Sequence, residues 1–197
     1  MTAICLVRHG ETDWNVSEKL QGQTDIPLNG TGIRQAEECS AYFRPEDWDV
    51  LVTSPLKRAR QTADIINRKL ALPVVEMECF MERYFGKAEG MDVTQRTAIY
   101  PDKDYPGQED PVTFRERILD GLEKVQQAYA DGRVLLIAHG AVISELLLVL
   151  SEGEISSKKA PLVNACVSNI QYQQKTWKIV NYNQVSHLSY YQGFTTE

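Results

Sequence analysis

The run Arg133-Val134-Leu135-Leu136-Ile137-Ala138 constrains this chain more than any other. It is so continuously apolar that it reads as a central strand covered on both faces, which requires helical layers above and below. Ile4 to Arg8 and Asp49 to Thr53 read as further buried strands, and Pro73 to Met77 as another candidate. Helical patterns alternate with them. Thr31 is placed to cap a helix with Ile33, Ala36, Ala41 and Phe43 on one face, stopping before Pro45. Ser54 as N-cap and Pro55 at the first helical position open a helix to about Leu70. Residues 113 to 129 carry Phe114, Ile118, Leu122 and Val125 at helical spacing, and Ala141 to Leu150 is a last helix.

The alternation predicts an α/β fold, a three-layer αβα sandwich with a mostly parallel central sheet. Cys166 to Tyr172 and Thr176 to Tyr182 alternate apolar with polar residues and predict an antiparallel hairpin at the sheet edge. Residues from about 80 to 111 carry Gly86, Gly90, Pro101, Pro106, Gly107 and Pro111, and an irregular insertion of that length is expected to be a lid. With 197 residues and no repeat or linker, a single domain over 1–197 is expected.

Composition narrows the partners. Lysine and arginine total 21 against 27 acids, a net charge of −6, so no global basic field favours nucleic acid or an anionic membrane. An anion would have to meet a local cationic pocket. Cys5, Cys39, Cys79 and Cys166 lack the paired spacing of a zinc site and are expected to be reduced thiols, mostly buried. With no export signal and no membrane-length apolar stretch, a cytoplasmic location is expected. Oligomeric state is unreadable from the sequence.

Two strands end alike, in Leu6-Val7-Arg8-His9-Gly10 and Leu136-Ile137-Ala138-His139-Gly140. Ligands of open α/β sheets bind at the carboxyl ends of strands, so two of the chain's three histidines are expected to converge in one crevice. Two imidazoles there suggest proton or phosphoryl chemistry. Taken singly, each residue has a plainer reading: the histidines as structural strand ends, Arg8 and Arg58 as surface charges, Glu82 as an exposed partner of Arg83 or Lys87.

The wider sequence changes those odds. Leu6 to Asn15 (Leu-Val-Arg-His-Gly-Glu-Thr-Asp-Trp-Asn) resembles the opening of the histidine phosphatase superfamily, the phosphoglycerate mutase-like family. Gln21 to Leu28, Thr53 to Ala63, Glu82 to Gly86 and Ala138 to Gly140 are similar to its later motifs, in the family's order. The resemblance implies two-step transfer in which His9 attacks phosphorus and becomes a phosphohistidine. It implies Arg8 and Arg58 as a guanidinium clamp, His139 as a third donor, and Glu82 as the acid that protonates the leaving oxygen. It further implies substrate contacts from Asn15, Gln21, Gly22 and Arg83.

The chemistry suits these residue types. Imidazole is mostly neutral at pH 7, and neighbouring guanidinium groups disfavour its protonated form further. Guanidinium forks match phosphoryl oxygens, so no metal or other cofactor is expected. Glu82 needs a pKa raised by partial burial among Phe80, Tyr84 and Phe85.

The expected activity is hydrolysis of a small phosphorylated metabolite. Residues 91 to 111 hold only Arg96 and Lys103 against Asp92, Asp102, Asp104, Glu109 and Asp110, without the extra arginines that the resemblance implies for a mutase. Glu82-Arg83-Tyr84-Phe85-Gly86 is nevertheless close to the mutase form of that motif, so a mutase using 2,3-bisphosphoglycerate is the alternative. A phospho-ligand binding module without turnover is the other. His187 is read as structural, and Trp14, Trp48 and Trp177 as packing residues.

Overall fold

The computed structural model describes residues 1–156 and 161–191. Its framework is a six-stranded sheet of β1 (Thr2–Arg8), β2 (Val50–Thr53), β3 (Val74–Glu76), β4 (Arg133–Ala138), β5 (Val167–Gln173) and β6 (Thr176–Gln184). The strand order is β3-β2-β4-β1-β5-β6. β1, β2, β3 and β4 pair in parallel. β5 runs against β1, and β6 against β5, so the predicted hairpin does close one edge.

Every residue of β2 is buried, as are Val134 to Ala138 of β4, which requires helices on both faces. They are α2 (Gly30–Tyr42) and α3 (Lys57–Leu70), which pack on each other, and α5 (Pro111–Ala128) and α6 (Gly140–Leu150), which form a second pair. Two short helices, α1 (Asp13–Val16) and α4 (Val93–Ile99), complete the set. Phe114, Ile118, Leu122 and Val125 of α5 are all buried, as their spacing predicts. No described helix is long and apolar enough to cross a membrane.

Three local expectations fail for identifiable reasons. The cap of α2 is Asn29, whose side chain accepts from the Gly32 amide, and Thr31 is already the second helical residue. The buried face of that helix is Gly32, Gln35, Ala36 and Cys39, while Ile33 stays exposed; the stripe follows the surface that packs, not the most apolar positions. α3 begins at Lys57 without a side-chain cap, because Ser54 is engaged elsewhere. The insertion at 80–111 is also more ordered than its composition suggests. It holds α4 and a short 3-10 turn at Gly86–Ala88, follows another at Glu78–Phe80, and Asp92 caps α4 in a reciprocal pair with Gln95.

Candidate active site

Adjacent parallel strands bring the two histidines together. β1 pairs with β4 so that Arg8 lies opposite Ala138, and the next residue on each strand is a histidine. The imidazole centroids are 5.3 Å apart and both residues are buried. β2 flanks β4 on its other side, so Ser54, just past β2, reaches the same edge. Its hydroxyl lies 2.8 Å from His139 Nε2 and also accepts from the Leu56 amide at 3.3 Å. We assign the Ser54 hydroxyl as the donor to Nε2, which places the ring hydrogen of neutral His139 on Nδ1.

His9 is locked in a different sense. Its Nδ1 lies 2.7 Å from the Gly10 carbonyl, which can only accept, so Nδ1 carries the hydrogen and Nε2 holds a free lone pair. Burial pushes the His9 pKa well below its usual value, and Arg58 and then Arg8 push it further the same way. His139 is lowered likewise, by burial first and then by Arg58, His9, Arg8 and Arg117. Both rings are therefore neutral near pH 7.

The folding linkage has a definite sign. The unfolded chain binds protons at these histidines below about pH 6.5 while the native chain does not, so stability is complete above that pH and declines as pH falls below it. The expected slope is about 1.4 kcal/mol per pH unit for each histidine. Urea melts between pH 7 and 5.5 check it: His139→Gln should show a shallower decline than the parent chain, and an equal one would mean His139 titrates alike in both states.

Arg58 is the second residue of α3 and its side chain is wholly buried, a position bearable only with partners. Its Nη2 donates to the Gly22 carbonyl at 2.6 Å and its Nη1 to the Thr24 carbonyl at 3.0 Å. Burial lowers its pKa to about 10, which leaves it charged. Arg8 donates through Nη1 to the Leu162 carbonyl. Three buried nitrogens here have no hydrogen-bond partner among the described residues: Arg8 Nε, Arg58 Nε and His139 Nδ1. Orphaned donors in a cationic crevice suit an oxyanion. Among the described residues no cluster of metal-ligating side chains accompanies them.

Glu82 is buried, and neither Arg83 nor Lys87 pairs with its carboxylate. Oε1 accepts from the Arg83 amide at 3.0 Å and Oε2 from the Ala141 amide at 3.1 Å, in the first turn of α6. That seats the carboxylate at the same strand ends as the histidines. Phe80 is fully buried nearby, while Tyr84 is turned largely to solvent.

The softer candidates divide. Asn15 presents its oxygen to the Thr12 amide and hydroxyl, both at 3.0 Å, and to Asn164, which leaves its amino group as the donor it can offer. Gln21 is buried, and its Oε1 has no partner among the described residues. Gly22 adopts φ +53°, and a Cβ there would stand 1.8 Å from the Glu89 carboxylate, so any side chain would be strained and would displace Glu89. Arg83 turns to the base of the 80–111 insertion. Its Nε and Nη2 donate to the Glu109 carbonyl at 3.2 and 3.1 Å, and its guanidinium lies 5.5 Å from the Phe85 ring centroid.

Ser54, Glu89 and Asn164 are the residues that sequence reasoning misses. Glu89 accepts from the amides of Gln23, Thr24 and Phe85 and from the Thr24 hydroxyl, and so fixes the loop whose carbonyls hold Arg58. Asn164 donates to the His9 carbonyl at 3.1 Å, beside the Ala165 amide at 3.2 Å. His187 supports that same loop, with Nε2 3.0 Å from the Ala165 carbonyl, which agrees with a structural role.

Fold and crevice together define an α/β phosphoryl-transfer enzyme. The profile of the histidine phosphatase superfamily (branch 1) matches residues 4–185, and the chain belongs to that family. An uncharacterized phosphatase PhoE of Bacillus subtilis is 54% identical over 96% of this chain and 98% of its own. A metal-independent phosphoserine phosphatase of Arabidopsis thaliana is 31% identical over 96% of this chain and 84% of its own. Among solved structures, an H9A mutant of the Entamoeba histolytica phosphoserine phosphatase, in complex with phosphoserine, superposes with TM-score 0.82 at 26% identity, covering 95% of this chain and 100% of that one. These relatives support phosphomonoester hydrolysis as the activity, on small phosphorylated substrates.

Proposed function

We propose that the protein hydrolyses monoesters of small phosphorylated metabolites through a phosphohistidine on His9, without a metal. The observation that carries this reading is the His9 tautomer: Nδ1 is tied to the Gly10 carbonyl and Nε2 is free, in a crevice with the buried Arg58 guanidinium and the half-buried Arg8. In the first step Nε2 attacks phosphorus, the N–P bond forms, and the P–O bond to the leaving group breaks. Glu82 gives that oxygen its proton. In the second step Glu82, now a carboxylate, takes a proton from water as the water oxygen attacks phosphorus. The N–P bond breaks, inorganic phosphate leaves, and His9 is restored. Arg8, Arg58 and the Nδ1–H of His139 hold the phosphoryl oxygens, with Asn15 as a neutral donor.

Monoesters the size of phosphoserine are the first substrates to try, given the ligand of the Entamoeba histolytica relative. Hydrolysis is favoured over mutase chemistry because Arg83 is committed to the Glu109 carbonyl and Arg96 to the carbonyls of Glu18 and Met91. A mutase must retain an anionic product until it is re-phosphorylated.

The test uses p-nitrophenyl phosphate in excess chelator. It should release p-nitrophenolate and leave acid-labile phosphate on the protein, whereas a binding module without turnover would do neither. Given 3-phosphoglycerate with and without 2,3-bisphosphoglycerate, the protein should release inorganic phosphate. Accumulation of the 2-isomer would replace this reading with the mutase one.

Glu82→Gln should lower kcat/KM for alkyl phosphates by about 100-fold or more and for p-nitrophenyl phosphate only a few-fold, because p-nitrophenolate leaves without a proton. Equal losses would remove Glu82 from the role of acid.

A further inference from the structure

The lid departs from the core near Glu82 and returns at Glu109, and one side chain of α5 spans those two points. Arg117 donates through Nη1 to the carbonyls of Cys79 and Met81, both at 2.8 Å, and through Nη2 to the carbonyl of Glu82 at 3.1 Å. The same guanidinium holds the Glu109 carboxylate in a fork, with Nε 2.6 Å from Oε1 and Nη2 2.9 Å from Oε2. Only a planar group with five donors can serve three carbonyls and a carboxylate together. The pair is shielded: the side chains of Arg117 and Glu109 are 22% and 15% exposed, and the Arg117 guanidinium lies 4.9 Å from the Phe114 ring centroid.

Two further features make the clamp close-fitting. Gly121 lies one turn along α5, where a Cβ would stand 2.5 Å from the Cys79 sulfur, so glycine lets the helix settle against the Glu78–Phe80 turn. Glu109 continues the connection on its other side. Its Oε2 accepts from the Tyr84 amide at 3.2 Å, its own amide donates to the Tyr84 carbonyl at 2.8 Å, and its carbonyl receives Arg83. The backbone that carries Glu82 is thus gripped on both flanks, while the carboxylate itself is held by the Arg83 and Ala141 amides.

We infer that Arg117, acting with Glu109, is a positioning residue that sets where the Glu82 carboxyl meets the leaving oxygen. The inference rests on the reading of Glu82 as the general acid. Proton transfer requires hydrogen-bond contact, and a misplacement of about 1 Å costs on the order of 100-fold. That cost falls only on esters whose leaving group needs the proton. A residue that merely supported the fold would affect all esters alike.

The experiment measures kcat/KM for p-nitrophenyl, phenyl and alkyl phosphates with the parent chain, Arg117→Gln, Arg117→Lys, Glu82→Gln and the Glu82→Gln/Arg117→Gln pair. Arg117→Gln should lower the alkyl ester by about 30- to 100-fold and p-nitrophenyl phosphate by less than about 3-fold, with inhibition by inorganic phosphate unchanged. The double variant should be no worse than Glu82→Gln alone, since one acid cannot be lost twice. Arg117→Lys, which keeps the charge without the fork, should show the same selectivity, and it carries the test if the glutamine variant does not fold.

A loss equal across leaving groups, or losses that multiply in the double variant, would overturn the inference. The two failures are separable. A flat response in Glu82→Gln removes the acid itself, whereas a steep response there beside a flat one in both Arg117 variants leaves the acid and removes only Arg117.

Discussion

His9→Ala is expected to lower kcat by at least about 10⁴-fold on every phosphomonoester and to leave no acid-labile phosphate on the protein. A loss of that size is about 5.5 kcal/mol of barrier, within reach of removing a covalent route. The variant takes away Nε2, and no other described side chain nearby offers a replacement. His139 is the other ring in the crevice, but with the Ser54 hydroxyl assigned as donor to its Nε2 and the hydrogen on Nδ1 it has no lone pair to offer. The fold should tolerate the change, because the backbone around position 9 is held by bonds to main-chain atoms. The His9 amide donates to the Ala138 carbonyl, and the His9 carbonyl receives Asn164 and Ala165. A properly folded His9→Ala protein that still turned over would place the nucleophile elsewhere.

The sheet and the edge that carries both histidines are legible because they rest on contiguous signals. A strand buried on both faces announces itself through unbroken apolar residues, as β4 does, and the histidine that follows inherits its place at the strand end. The two histidines are remote in sequence, yet the parallel pairing of β1 and β4 makes them neighbours. Other features depend on contacts between distant segments. Nothing around Glu89 signals that its carboxylate will accept the amides of Gln23 and Thr24, and nothing in Val163-Asn164-Ala165 signals support for His9.

Ser54 shows how a correct local pattern can hide another use. Ser-Pro after a strand is a standard helix start, but here a buried imidazole competes for the hydroxyl, and the helix opens three residues later. Glu82 shows the converse. Its basic neighbours in sequence leave an exposed ion pair as the plainer alternative to a partly buried acid, and folding removes that alternative by turning Arg83 away and giving the carboxylate backbone donors. Sequence neighbours share a loop without sharing partners.

Arg58→Lys should separate the charge of the clamp from its shape, and it is expected to lower kcat/KM by about 10³-fold for activated and unactivated esters alike. The guanidinium does two things at once. Its Nη atoms hold the carbonyls of Gly22 and Thr24, and its buried Nε, without a partner among the described residues, is the donor that the proposed mechanism gives to a phosphoryl oxygen. An ammonium has the charge, but from one point it cannot hold both carbonyls and still present a donor of fixed direction. Substitution therefore loosens the loop that Glu89 ties to the lid as well as the anion contact. Because the proposed clamp would act on the phosphoryl group and not on the leaving oxygen, the loss should be independent of leaving group. Inhibition by inorganic phosphate or vanadate should weaken in parallel, which titration of the inhibitors will measure. If Arg58→Lys instead damaged alkyl esters selectively and left phosphate inhibition intact, the guanidinium would be acting through the proton donor, and the anion site would have to be rebuilt around Arg8.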